Sequence, residues 1–195
     1  MHHFNLNAAV RARGRSLAIA ALAGLASAGG APAQARAATG CAGATEQPPA
    51  LPREQAAAAV ACLVNEERRR RALPRLRDQP RLDRAAARHA RDMVQRRFFA
   101  HTAPEGTSMS DRLRAAGYIQ DARPWTVGET LAWGTGSRAT PAAIVAAWLD
   151  SPPHRRVLLS AAYRDLGIGV TTGVPVRAFG GLAGATYAAE LGARS

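Results

Sequence analysis

Three features of the 195-residue chain predict an α+β fold. Apolar residues recur at helical spacing ahead of residue 160, alternating patterns gather after residue 165, and the connections are too irregular for a repeating parallel βα series. No internal repeat is visible.

The chain opens with Arg11, Arg13 and Arg15 and no acid, followed by a short apolar run, Ser16–Ala28. That run is too short to span a bilayer, and Ala33-Gln34-Ala35 fits a small-x-small cleavage site. Residues 1–35 are therefore expected to be a secretory signal peptide, leaving no transmembrane segment in the mature chain. A lipoprotein alternative rests on Cys41 after Ala38-Thr39-Gly40, but no leucine stands where a lipobox wants it. Residues 36–52, rich in Ala, Gly, Pro and Thr, are expected as a flexible N-terminal lead-in, and 53–195 as the folded domain.

The formal net charge of +12 is made entirely by arginine, with no lysine anywhere. Such a chain could bind anionic cell-envelope polymers or lipid headgroups, although abundant Ala, Arg, Gly and Pro also fits the coding bias of a high-GC genome. Few aromatics and no binding motif argue against nucleic acid. In an exported protein the two cysteines, Cys41 and Cys62, suggest one disulfide tying the mature N-terminus to the first helix; two buried thiols are the alternative.

A first helix is expected from Arg53 to about Ala72, with Ala57, Val60, Ala61 and Val64 on its apolar face and Glu66, Glu67 and Arg68–Arg71 forming a solvated, ion-paired face. Pro74 ends it. Asp78 and Pro80 begin a second helix with the stripe Leu82, Ala86, Ala90 and Met93, and His89 beside it reads as a partly exposed helix residue. Ser108 and Asp111 fit a capping box for a short helix carrying Met109, Leu113 and Ala116, closed by Gly117. Residues 127–133 fit either an extended segment or a tight helical turn.

Thr140 and Pro141 start a helix whose stripe is Ile144, Val145, Trp148 and Leu149. It must stop at Asp150–Ser151, since the residue before a proline is pushed out of helical geometry. Ser151 is then placed to cap a new helix with Pro152, Pro153 and His154 in its first turn, where the positive helix end favours neutral imidazole. Strands are expected at Leu166–Val170, with Gly167 and Gly169 giving one bare face, at Val174–Ala178 and at Ala185–Leu191.

Three polar side chains sit in apolar company: His101 after two phenylalanines, Glu129 among Val127, Leu131 and Trp133, and His154 between Trp148 and Val157-Leu158-Leu159. A buried carboxylate needs a partner, and a histidine or a metal would serve. Two histidines and a glutamate suit zinc, and their convergence in one cleft is the expectation that follows.

FFAHT, GETLAWG, VAAWLDSPPHR and YRDLGIGV, in this order, with the opening LVNEERRRRALPRL, resemble the bacterial branch of the CAP superfamily of cysteine-rich secretory, antigen 5 and pathogenesis-related proteins, also called SCP-like extracellular proteins. The resemblance covers roughly Ala57 to Gly192. It implies a three-layer α-β-α sandwich with a central antiparallel sheet and a cleft of two histidines and acidic residues, which holds zinc in some relatives. His101 matches the first cleft histidine, Glu129 the glutamate of Gly-Glu-Asn, and His154 the histidine of Ser-Pro-Gly-His. The chain departs from the pattern at Thr130, at Pro153 and at Ser151, where eukaryotic relatives carry a second glutamate; Asp150 is the nearest substitute, and no ligand role is carried onto Glu190 in TYAAELG. The expected function is binding of a small apolar or lipid ligand, or of a partner, by a secreted or periplasmic protein. A metal-dependent hydrolase using Glu129 with His101 and His154 is the alternative, although no nucleophile elbow or His-Glu-x-x-His is present. A buried polar network that only fixes the sandwich is the third reading.

Overall fold

A computed structural model describes residues 40–120, 124–176 and 183–194; the expected signal peptide lies outside them. Five α-helices are described, α1 (Arg53–Arg69), α2 (Pro80–Arg96), α3 (Met109–Ala115), α4 (Pro141–Asp150) and α5 (Pro152–Leu158). With them are the strands β1 (Arg77–Asp78), β2 (Trp125–Thr135), β3 (Asp165–Thr172) and β4 (Gly184–Arg194). The sheet order is β1-β3-β4-β2. The three long strands are antiparallel, and the two-residue β1 adds a parallel edge that the sequence did not announce.

Strand alternation sorts the two faces. Leu166, Ile168, Val170, Tyr187, Ala189 and Leu191 pack with residues of α1 and α4, while Leu131 and Ala188 pack with α2. Helices thus cover both faces of an antiparallel sheet, giving the α-β-α sandwich.

The approach of α2 is set by the bare face of β3. A Cβ built on Gly167 would lie 2.3 Å from the backbone of Leu82 and Asp83, and one on Gly169 would lie 2.1 Å from the Ala86 carbonyl carbon. Only glycine lets the helix backbone lie directly on the strand. Asp83 completes the junction by accepting from the Ile168 N–H at 2.9 Å.

The α4 motif folds as its residues dictate. Thr140 Oγ1 accepts from the Ala143 N–H at 3.2 Å, Pro141 occupies the first turn, and Ile144, Val145 and Trp148 are buried. Trp148 is 1% exposed and its Nε1–H donates to the Leu131 carbonyl of β2 at 3.0 Å. Across a short turn, the Tyr163 hydroxyl donates to the Val127 carbonyl of the same strand. On α3 the capping box forms as expected, with Ser108 and Asp111 each bonded to the other's backbone.

Several details differ from expectation. α1 ends at Arg69, and its buried face is Ala56, Ala59, Val60, Leu63 and Val64, with Ala57 and Ala61 only partly covered. The face is rotated because the chain ahead of α1 packs on the core as well. Cys41, Ala44 and Leu51 are buried there, and Cys41 is disulfide-bonded to Cys62. Gln79 rather than Asp78 caps α2. Ser151 occupies the cap position of α5 but its hydroxyl is buried without a hydrogen bond among the described residues; Pro153 removes one of the two N–H groups such a cap takes, and the other, on His154, is not bonded to it. Residues 174–176 form no strand; Gly173, at φ +100°, turns the chain off β3 and donates to the Gly184 carbonyl. The rest of that expected strand, 177 and 178, lies outside the described residues.

Gly169→Ala is expected to lower stability by about 3 kcal/mol, the upper end of ordinary overpacking, because the new methyl meets helix backbone rather than a movable side chain. Trp148→Ala should cost about 3–5 kcal/mol. Urea denaturation midpoints check both.

Candidate functional site

Glu129 and Glu190 are directly paired across β2 and β4, with Gly167 of β3 next in register. All three therefore face α2. The missing side chain at Gly167 lets α2 settle low, and the helix carries His89 into the same region, buried to 1% exposure. Arg112 projects from α3, and His101 comes from the turn-rich stretch after α2.

These side chains form a connected cluster. His101 Nδ1–H donates to Glu129 Oε1 at 2.6 Å. Arg112 Nη2 donates to Glu129 Oε2 at 2.5 Å and lies 3.7 Å from Glu190 Oε1. Its other terminal nitrogen donates to the His101 carbonyl at 2.9 Å, so one guanidinium ties the His101 turn to the sheet. His89 Nε2 lies 3.9 Å from Glu129 Oε2 and donates to the Ala100 carbonyl at 3.0 Å, which fixes that tautomer. The Glu129 side chain is 2% exposed, whereas that of His101 is 57% exposed. With Nδ1–H committed inward, a neutral His101 keeps Nε2 as an acceptor facing outward.

The two carboxyls titrate in opposite directions. Burial alone would raise Glu129, but the His101 hydrogen bond and the Arg112 charge outweigh it and hold Glu129 below the usual range. Burial and the neighbouring Glu129 charge push Glu190 well above it, favouring its neutral form. Burial likewise lowers His89. The charged form of Glu129 is thus matched by the guanidinium of Arg112.

The structure brings His101 and Glu129 together as a hydrogen-bonded pair. His154 stands in the first turn of α5, which packs on the other face of β2, where Val157 and Tyr163 close over Gly128. It is half-buried and makes no hydrogen bond to His101 or Glu129 among the described residues. Burial, and secondarily the charge of His101, lower its pKa. Asp150 is exposed at the end of α4. Sequence reasoning passed over three members of the cluster. His89 is buried rather than partly exposed, because it lies four residues from both Ala85 and Met93 and so falls at the centre of the buried face of α2. Arg112 gave no signal beyond its place beside Leu113. Glu190 shares a strand face with Ala188, which was legible, and it lies in the cluster although no role was carried onto it.

Glu129 does not fit the role of a zinc ligand. Both of its oxygens are engaged, one by His101 and one by Arg112. Among the described residues no three or more His, Cys, Asp or Glu are grouped to hold a metal ion.

Replacement of Glu190 by Gln is expected to stabilise the protein at pH 7. A buried carboxyl raised above its usual 4.5 imposes no penalty below that pH and a growing one above it, by at most about 1.4 kcal/mol per pH unit up to its folded value. Urea titrations at pH 4, 5, 6 and 7 should show wild type and Glu190→Gln converging at the acid end and separating, with the variant the more stable, as pH rises.

Comparison with known proteins accords with this architecture. Residues 62–179 match the family model described as CAP, the cysteine-rich secretory protein family. Protein YkwD of Bacillus subtilis (strain 168) is 30% identical over 107 residues, 55% of this chain and 39% of its own length. The membrane protein YlbC of the same strain is 33% identical over 93 residues, 48% of this chain and 25% of its own. The chain therefore spans well under half of either relative. Among solved structures, an extracellular protein containing an SCP domain from Bacillus anthracis str. Ames superposes with a TM-score of 0.59 at 24% identity, over 71% of this chain and 40% of that one. An outer surface protein from Borrelia burgdorferi gives 0.53 at 21% identity, over 70% of this chain and 90% of its own. With a family model covering more than half its length and the sandwich to match, this chain belongs to the CAP superfamily, the cysteine-rich secretory protein family.

Proposed function

We propose that this chain is an exported CAP-domain protein, with residues 1–35 as its leader, that binds a small apolar or lipid ligand through a cleft faced by His101 and His154 and anchored by Glu129. The observation that carries the reading is the asymmetry of the His101–Glu129 pair. The carboxylate is buried and locked by Arg112, yet the imidazole it orients is left 57% exposed. A network whose only role is to fix the sandwich gains nothing by holding a directed ring at the surface. A ligand gains a preorganised acceptor there. Export is supported by the disulfide, which belongs to oxidising compartments, and by relatives named as extracellular or outer-surface proteins. No helix among the described residues is long and apolar enough to cross a membrane.

The hydrolase alternative is favoured by the same 2.6 Å bond in a metal-free form: Glu129 orients His101, and Nε2 serves as base toward a water. The Arg112 contact weighs against Glu129 itself acting as base on a metal-bound water.

Titration with the fluorescent fatty acid cis-parinaric acid tests the binding reading. Saturable uptake is expected in the wild type and a loss of about tenfold or more in affinity, near 1.4 kcal/mol, in His101→Ala with its thermal midpoint preserved. Absence of uptake, or uptake indifferent to His101, overturns it. Calorimetric titration with zinc at pH 7 should give no saturable heat; one-to-one binding abolished in both His101→Ala and His154→Ala would restore the metal-dependent hydrolase.

A further inference from the structure

Away from the Glu129 cluster, the C-terminal ends of α1 and α5 meet around an open depression of about 610 Å³ lined by Arg71, Arg155, Arg156 and Leu159. The two ends are clamped together from below by Arg68. Its guanidinium is buried and donates to the carbonyls of Pro74, Leu158 and Ser160 at 2.9, 2.7 and 3.0 Å. The arginines above are thereby held at a fixed separation on two elements distant in sequence.

Their charges are only partly answered. Glu66 pairs with Arg69, and Glu67 with Arg70 and Arg71. Arg155, Arg156 and Arg164 are exposed and form no ion pair among the described residues, while Arg75 is exposed and reaches Glu66 only at longer range. Arg155 spends one nitrogen on the Leu149 carbonyl, and Arg156 makes no hydrogen bond or ion pair among the described residues. Within electrostatic reach are Arg75, which acts on Glu66, and Arg164, which acts on Arg68. Positive charge that is only partly compensated therefore stands around a preformed concavity.

We propose that this depression binds the phosphate group of an anionic phospholipid headgroup, seating the protein against a membrane surface. Guanidinium forks match phosphate oxygens two at a time, and three of them line the concavity. The floor selects a headgroup over a free anion. Leu159 is half-buried between the arginines, with Ala161 and Ala162 exposed beside it, so apolar surface lies where the glycerol and upper acyl chain of a lipid would rest. A small soluble anion has no use for that surface and would be better held in an enclosed site.

The test is co-sedimentation of the full chain with vesicles at 100 mM salt, comparing phosphatidylcholine alone with phosphatidylcholine containing phosphatidylglycerol. The variant Arg71→Gln/Arg156→Gln removes two exposed charges whose contacts are confined to those of Arg71 with Glu67 in the same turn, its carboxylate and its carbonyl, so the fold is retained. Arg84→Gln/Arg88→Gln removes the same charge from exposed positions on α2, across the sheet. The expected result is binding that requires phosphatidylglycerol, falls about tenfold or more in the first variant, and falls less than about threefold in the second. Arg156→Lys should also weaken binding, since it keeps the charge and loses the fork. Equal losses in the two double variants would mean diffuse attraction and overturn the site, and so would indifference to phosphatidylglycerol. Calorimetry with pyrophosphate separates the source: saturable pyrophosphate binding without vesicle binding assigns a soluble phosphate and overturns the headgroup. None of these residues belongs to the His101 cleft, so failure here leaves the cis-parinaric acid result untouched.

Discussion

The structure depends on how closely α2 lies on the sheet. At Gly167 and Gly169 the helix backbone takes the volume that side chains would fill, so the helix axis and the strand are separated by little more than their own main chains. The rest of that layer follows. Ala86 and Ala90 are small because nothing larger fits the gap, Met93 fills the space beside Leu131, and His89 is carried into the plane of Glu129 and Glu190. A helix held farther out by side chains on the strand would leave water around both carboxyls, and the opposite shifts of the pair would shrink with it.

Once two carboxyls are sealed on one sheet face, electrostatics leaves few solutions. Two buried anions in register would repel strongly, so one is driven toward its neutral form and the other is matched. Arg112 supplies the match from a seven-residue helix whose own start is fixed by the Ser108–Asp111 box. Its permanent charge and planar fork do what a bound cation does in other carboxylate–histidine sites, without a metal's open coordination position. The polar group left at the surface is thereby the imidazole, not the buried carboxylate that orients it.

Much of this was legible in the sequence where local chemistry decides. The Thr140–Pro141 start, the Trp148 stripe, the stop before two prolines, the Ser108 box and the bare face of β3 each rest on residues within a few positions of one another, and each is seen. Convergence of His101, Glu129 and His154 was expected from polar groups in apolar company; the 2.6 Å bond joins the first two, and His154 makes no hydrogen bond to either among the described residues. What escaped depends on register between distant strands. Glu190 faces Glu129 only because β4 pairs with β2 at that offset, and Arg112 matters only because α3 is folded over the same face. The short β1 is likewise a tertiary product, since Arg77 and Asp78 carry no strand pattern and are drawn in by β3 and by the Arg77–Asp165 contact. Ser151 misled for a local reason, since Pro153 lacks one of the N–H groups that a cap takes.

The hydrogen bonds from Trp148 and Tyr163 to the carbonyls of Leu131 and Val127 have a consequence beyond packing. β2 is the last strand of the sheet, eleven residues long, and its outer side meets no further strand among the described residues. A bare ladder of that length is a template on which the same strand of a second copy could add, the first step toward fibrils and misassembly. An indole and a phenol occupy two of the acceptors such a strand would need. Bulky rings also stand in its path. The side chains that fix the central helix and the turn after α5 therefore also guard the protein against self-association through its longest exposed margin.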